Sequence, residues 1–436
     1  MTPRGSGSKR NACMGCVFVC ASIAAPPVAA QTPLAALPVA DVEEHQYVRH
    51  PMALSRTGRF VAFESYAPLV PDDTNGAVDI YLLDRQTSDI ILVSRGHNGS
   101  AADGPSQHPT ISDDGSRVVF ESIASNLVEA APEATWHVYA FTRDTRGLQL
   151  VTSDGAGRPI PGNHGGARLS GDGRVVVFHA NGVPAPWNAC ESSGYHVYRR
   201  TLESAEVEAI SGGCPHTQSA GTFPVLSRDG SVVVYVRNQP GTTRPSELWM
   251  HDFDGQLHGP AVNAVHGGAP DAASYSPTLS ADGRWLAFVS RATNLVTQRR
   301  RSVEAQVYLR RLPDGPLMLL SSTRNDEGGN GPSGMPSIDE DGQHVVFHSS
   351  ATNLVCEQRP DRRCTDINMV TDIVLWSIST TSMTYVSDSA DGPWLDASAA
   401  PVISGDSSVI AFISRHPVDA NDDRHTSDLF LYDRRR

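Results

Sequence analysis

Short apolar runs alternate with polar turns along this chain, and the alternation itself repeats. Leu54-Ser55-Arg56-Thr57-Gly58-Arg59-Phe60-Val61-Ala62-Phe63 is followed by Ile111-Ser112-Asp113-Asp114-Gly115-Ser116-Arg117-Val118-Val119-Phe120, and the phrase returns five more times. The turn glycines are Gly58, Gly115, Gly173, Gly230, Gly283 and Gly342. Ser407, after Asp406, holds the seventh position, so the spacings are 57, 58, 57, 53, 59 and 65 residues. Asp-Gly between two apolar runs signals a hairpin, because both residues tolerate positive φ. A fixed period kept through nearly the whole chain marks a repeat architecture.

Each copy carries two more apolar segments. A third strand is predicted at Asp79-Ile80-Tyr81-Leu82, Gln306-Val307-Tyr308-Leu309 and Asp372-Ile373-Val374-Leu375, and a fourth at Ile90-Ile91-Leu92-Val93 and Met383-Thr384-Tyr385-Val386. Four antiparallel strands per repeat make one propeller blade. The fold class is therefore all-β: a seven-bladed β-propeller over residues 31–436, with repeats starting near 51, 108, 166, 223, 276, 335 and 400. The seventh copy ends at Leu431-Tyr432-Asp433, after its third strand, and the segment from about Leu34 to Val42 is expected to complete that blade. Closing the ring this way leaves no open sheet edge.

The phrase Ser-x-Asp-Gly-x-apolar-apolar-apolar-Phe-x-Ser recurs together with Ala-x-Asn-Leu-Val at Ala124 to Val128, Ala292 to Val296 and Ala351 to Val355. Together these resemble the TolB-like, WD-repeat-like propeller repeat. Blades 3 and 4 depart from it by lacking the Asn-Leu-Val segment, and blade 7 by Ser407. The resemblance implies an extracytoplasmic propeller used mostly for binding, and it names no ligand.

Composition narrows the setting. Residues 1–30 hold a basic leader (Arg4, Lys9, Arg10), an apolar stretch from Ala12 to Ala25 and small residues before Gln31, which reads as a secretory signal peptide. No apolar run approaches the roughly 20 residues of a membrane span, so no membrane insertion is expected. Periplasmic or secreted localisation follows. The charge is −13 at pH 7, and loss of the three leader cations takes it to −16, which argues against nucleic acid as partner. Four cysteines lie beyond the leader. Cys190 with Cys214, and Cys356 with Cys364, each fall within one repeat and are expected to form two local disulfides. A zinc site is the rival reading, but the first pair lacks the CxxC spacing.

Loops joining strands one to two and three to four lie on one side of a propeller disc, and the other two kinds lie opposite. Insertions such as 182–194, 323–334 and 357–371 all fall on that opposite side, which is the expected working face. Trp187, Trp394, Phe223 and Tyr275 come from it, with Tyr66, as aromatic groups able to stack on a sugar or anchor a protein. Packing of these rings against their own blade tops is the structural alternative.

Three residue sets invite chemistry. His50, His108 and His164 lie near the entries of first strands, at offsets of five, four and six from Ser55, Ser112 and Ser170, so they are out of register. The residue after the terminal aromatic of strand two is in register: Glu64, Glu121, His179, Val236, Val289, His348 and Ile413. Glu64, Glu121 and His179, with His108, would suit a divalent metal and metal-assisted cleavage of a polysaccharide. Their other reading is hydrogen bonding to neighbouring strand ends. Asp73-x-Asn75-x-x-x-Asp79 and Asp366-x-Asn368-x-x-x-Asp372 share one spacing of oxygen groups that suits calcium, the one cofactor suggested, or else a side-chain turn before strand three. Nucleophile-elbow and HExxH motifs are missing, and Lys9 is the only lysine. The sequence thus points to an exported, non-catalytic propeller that binds a protein or glycan through its long-loop face, with a metal-dependent lyase or hydrolase as the alternative.

Overall fold

A computed structural model describes residues 32–39, 50–129, 135–183, 194–204, 206–211, 220–238, 243–253, 257–298, 303–323, 325–355, 368–389, 392–394, 396–417 and 427–435. The described elements are all β. Seven four-stranded antiparallel sheets follow one another: blade 1 over 52–92, blade 2 over 106–150, blade 3 over 163–209, blade 4 over 220–260, blade 5 over 274–319, blade 6 over 333–385 and blade 7 over 398–433. The fourth strand of blade 7 is Thr32–Val39, paired antiparallel with Ser427–Asp433. The N-terminal segment therefore closes the ring, as the missing strand required.

Period-two alternation puts one side of every strand against the next blade. Phe60, Ala62, Ile80 and Leu82 of blade 1 share a core with Val118, Phe120, Tyr139 and Phe141 of blade 2, and each further junction repeats this. The aromatic that ends strand two stacks on its cross-strand neighbour in strand three. Phe63–Tyr81, Phe120–Tyr139, Phe178–Tyr198, Phe288–Tyr308 and Phe412–Phe430 have ring centroids 5.5 to 5.8 Å apart. Such pairs add to the area term, which explains why the repeat keeps an aromatic there.

The Ala-x-Asn-Leu-Val segments have a mechanical role. Their alanine and leucine are buried, and the asparagine ties the loop to the one entering the blade. Asp103 accepts the Ser125 N–H at 2.6 Å and donates its own N–H to Asn126 at 3.1 Å. Asp271 does the same with Thr293 and Asn294, and Asn330 with Thr352 and Asn353.

One feature of the inner strands departs from the sequence pattern. In blades 2 to 7 strand one slips register once against strand two. The residue at the slip has positive φ: His108 at 55°, Gly166 at 64°, Phe223 at 49°, Ser276 at 48°, Met335 at 46° and Ala400 at 52°. Five of these precede a proline, a position normally held extended. Each is a β-bulge that re-aims the innermost side chains.

Candidate functional site

Connection lengths separate the two sides of the disc. Every strand-one-to-two turn has five residues, from 55–59 to 404–408, and the strand-three-to-four turns of blades 1 to 6 have four or five. On the other side the connections run from eight residues (239–246) to 22 (350–371).

The tight-turn side is laced together. Backbone N–H groups pass hydrogen bonds from blade to blade around the axis: Arg56 to Asp113, Asp113 to Gly171, Asp172 to Arg228, Arg228 to Ala281, Ala281 to Glu340, Glu340 to Gly405, and Asp406 back to Arg56, at 2.8 to 3.1 Å. Two ion pairs lie over this belt. Arg56 meets Glu340 at 2.5 Å and Arg228 meets Asp113 at 2.6 Å, each pair skipping one blade. The skipped blades carry glycine. A Cβ on Gly171 would lie 2.7 Å from Arg228 Cγ, and one on Gly405 would lie 3.1 Å from Arg56 Cγ.

Above the belt the channel is lined by the residue two before the turn serine or its equivalent in each blade: Ala53, Thr110, Arg168, Val225, Thr278, Ser337 and Val402. Six are small or neutral and one is a guanidinium. His50 lies at the same level, with its pKa lowered to about 3 by burial and then by the charge of Arg168. The imidazole is neutral at pH 7.

The channel opens on the long-loop side into a cavity of about 670 Å³ over blades 5 to 7, which shares Met335 with the channel wall. Arg291, Arg415, Glu304 and His348 are its charged and titratable lining, beside Tyr275 and Ile413. Burial pushes His348 down to about 4, so it too is neutral at pH 7. Arg291 and Arg415 each follow the serine that closes strand two, in blades 5 and 7. The cavity is thus lined by two guanidinium groups, one carboxylate and an apolar floor.

The residues singled out from sequence disperse. Tyr275 lines the cavity. Phe223 sits half-buried at the bulge of blade 4, edge-on to His179. Trp394, expected to be exposed, is 5% exposed instead, stacked on His416 and packed against Phe412 and Phe430. Its loop folds inward because that packing buries the whole indole. Trp187, Asp366, Cys190, Cys214, Cys356, Cys364 and the leader lie outside the described residues.

The registered acid–histidine set joins blades to one another. The N–H of His108 donates to Glu64 Oε2 at 2.9 Å, the N–H of Ala167 to Glu121 Oε1 at 3.2 Å, and the N–H of Phe223 to His179 Nδ1 at 3.1 Å. Each acceptor satisfies a backbone donor that the next blade's bulge removes from its ladder. His108 Nδ1 also lies 3.5 Å from Glu121 Oε2. No group of three or more metal-binding side chains converges among the described residues.

The Asp-x-Asn-x-x-x-Asp segments are built as turns. Asn75 Nδ2 donates to Asp79 Oδ2 at 2.7 Å and to the Ala102 carbonyl at 3.1 Å, while Ser94 Oγ donates to Asp79 Oδ1 at 2.6 Å and Tyr81 Oη to Asp73. Asn368 repeats this with Asp372 and the Trp394 carbonyl, and Ser387 with Asp372. Burial raises Asp79 to about 6, the environment of a hydrogen-bonded structural acid.

No protein-family model and no curated protein matches the chain. Solved structures do. Oligogalacturonate lyase from Vibrio parahaemolyticus matches at TM-score 0.52 and 13% identity, over 89% of this chain and 90% of that one. An oligogalacturonate lyase in complex with manganese matches at 0.51 and 14%, over 89% of each chain. The β-propeller domain of the trilobed protease from Pyrococcus furiosus matches at 0.51 and 10%, over 89% and 96%. TolB from Acinetobacter baumannii stands among the neighbours at 0.42 and 15%, over 76% and 63%. The likeness is one of fold. No helix among the described residues is long and apolar enough to cross a membrane.

Proposed function

We propose that this chain is an exported, non-catalytic binding propeller that holds an extended segment of a partner protein over its channel mouth, on the long-loop side. The cavity over blades 5 to 7 carries this reading, because it is the place where long loops, apolar wall and paired guanidinium groups coincide. A glycan is the less suited ligand. Sugar rings stack on exposed aromatic faces, and of the aromatic candidates within the described residues only Tyr275 lines the cavity.

A metal-dependent lyase is the less favoured reading, since Glu64, Glu121 and His179 accept from backbone donors and no group of three metal-binding side chains converges among the described residues. Its test is direct. Oligogalacturonate incubated with the protein and manganese should yield no unsaturated product; steady product formation overturns the binding reading.

The binding test places a photo-cross-linking residue at Ser350 in the cavity or at Ser116 on the tight-turn side. A defined protein partner is expected from Ser350 alone, and Arg291→Glu with Arg415→Glu should abolish its capture while leaving the circular dichroism intact. Equal capture from both positions, or capture indifferent to the double variant, defeats the proposal.

A further inference from the structure

The seventh blade is closed differently from the other six. In blades 1 to 6 the fourth strand returns from the third through a turn of four or five residues, whereas in blade 7 it is Thr32–Val39, brought from the other end of the chain. Only this fourth strand can leave without unravelling a hairpin.

Its pairing is also broken where the others are not. In the six hairpins the third and fourth strands pair continuously. In blade 7, Thr32 and Pro33 pair with Leu431 and Phe430, and Pro38 and Val39 with Asp428 and Ser427, so residues 34–37 stand against Leu429 alone. The Arg434 N–H donates to the Ser408 carbonyl of strand two at 2.8 Å, and by alternation Tyr432, Phe430 and Asp428 turn their backbone groups the same way. Leu431, Leu429 and Ser427 therefore face the closing strand, and the middle one has no partner in its register. A strand without the slip would pair with all three.

The outer edge of the closing strand is guarded. Pro33 and Pro38 stand opposite Phe430 and Asp428, so their missing N–H groups belong to the outward side, and a further strand finds no donor there. Displacement is the open route. The edge beneath also begins where binding is proposed: Ser427, the partner of Val39, lines the cavity over blades 5 to 7.

We infer that the partner's extended segment displaces Thr32–Val39 and pairs with Ser427–Asp433 as the fourth strand of blade 7, held by main-chain hydrogen bonds. This rests on the protein-segment reading above and deepens it. The closing strand carries no charged residue, so an uncharged segment is the fitting occupant. Being tethered, the closing strand competes at high effective concentration, and its broken register is what lets a partner win.

The probe is a fluorescein-labelled peptide with the closing strand's sequence but without residues 34–36, presented to the full folded protein. It should bind in trans. Two variants should weaken that binding roughly tenfold or more: Val39→Cys with Ser427→Cys, whose oxidation ties the closing strand down, and deletion of residues 34–36, which gives the protein the unbroken strand itself. Reduction should restore binding to the cysteine variant, with wild type under the same reductant as control. The deletion keeps the test alive if the cysteine pair fails to fold. Capture of the partner from Ser350 should fall in parallel. A peptide that fails to bind wild type, or binds both variants equally well, overturns the inference. Capture from Ser350 that neither variant changes also overturns it and leaves the mouth reading intact, whereas no capture from Ser350 in wild type overturns both.

Discussion

The two sides of this disc are built from the same repeat and solve opposite problems. On the tight-turn side, turns of four or five residues, a belt of seven inter-blade backbone hydrogen bonds and two crossing ion pairs leave little room for variation. On the long-loop side, connections of up to 22 residues vary from blade to blade, and the cavity over blades 5 to 7 draws on five of them. Uniformity where blades must meet, and difference on the side where the proposed binding takes place, is what that proposal requires. The buried histidines follow the same division. His137, His164, His196 and His348 all sit at the long-loop ends of their strands, where burial lowers each pKa.

The largest expected effect contrasts two glycines with the same backbone. Gly115 on the tight-turn side has φ 69°, and an added Cβ would lie 2.2 Å from Phe60 Cδ2 of the preceding blade. Gly76 on the long-loop side has φ 67° with nothing within 4 Å of such a Cβ. Gly115→Ala should cost about 3 kcal/mol or more, from backbone strain plus overpacking, and Gly76→Ala about 1 kcal/mol from strain alone. Thermal or urea unfolding measures both, and equal losses would show that the tight-turn side is no more constrained than the other.

Acid should separate the sides next. Burial lowers His137 to about 4 and His164 to about 3, against about 6.5 in the unfolded chain. Because the folded state excludes the proton, its stability is complete above pH 6.5 and declines as pH falls toward those values. His137 alone is worth on the order of 3 kcal/mol across that window. Hydrogen exchange at pH 5 against pH 7.5 should show residues 135–164 losing protection before the Arg56 and Asp113 amides. His137→Gln should flatten the dependence, and an unchanged profile would place the acid response elsewhere.

How much of this could be read from sequence depends on whether a feature is local. Blades, hairpins and the closing strand follow from alternation and Asp-Gly turns, which act over a few residues. Ser407, the exception to the turn glycines, has an account that is not local: its φ is 58° and its hydroxyl donates across to blade 6, to Asp339 Oδ2 at 2.8 Å, where that blade has replaced the usual serine. Five of the six bulges were hidden because the residue before a proline is expected to be extended. The cavity was hidden because Arg291, Glu304, His348 and Arg415 come from three blades and carry no motif. A register count did reach His348, and one carried two residues further would have met Arg291 and Arg415. Trp394 misled because exposure of an aromatic in an insertion depends on a partner, here His416, in the next blade.

The smallest expected effect decides what holds the blades together on the tight-turn side. Arg56 and Glu340 are 40% and 28% exposed, so water and salt weaken their attraction even at 2.5 Å. A double-mutant cycle of Arg56→Ala and Glu340→Ala should therefore give a coupling of about 1 kcal/mol or less in physiological salt, falling further as salt rises. The belt of backbone hydrogen bonds beneath is untouched by either change, and hydrogen exchange at Arg56, Asp113 and Glu340 should stay slow. A coupling of several kcal/mol, or fast exchange in the double variant, would mean that charge and not backbone holds that side together.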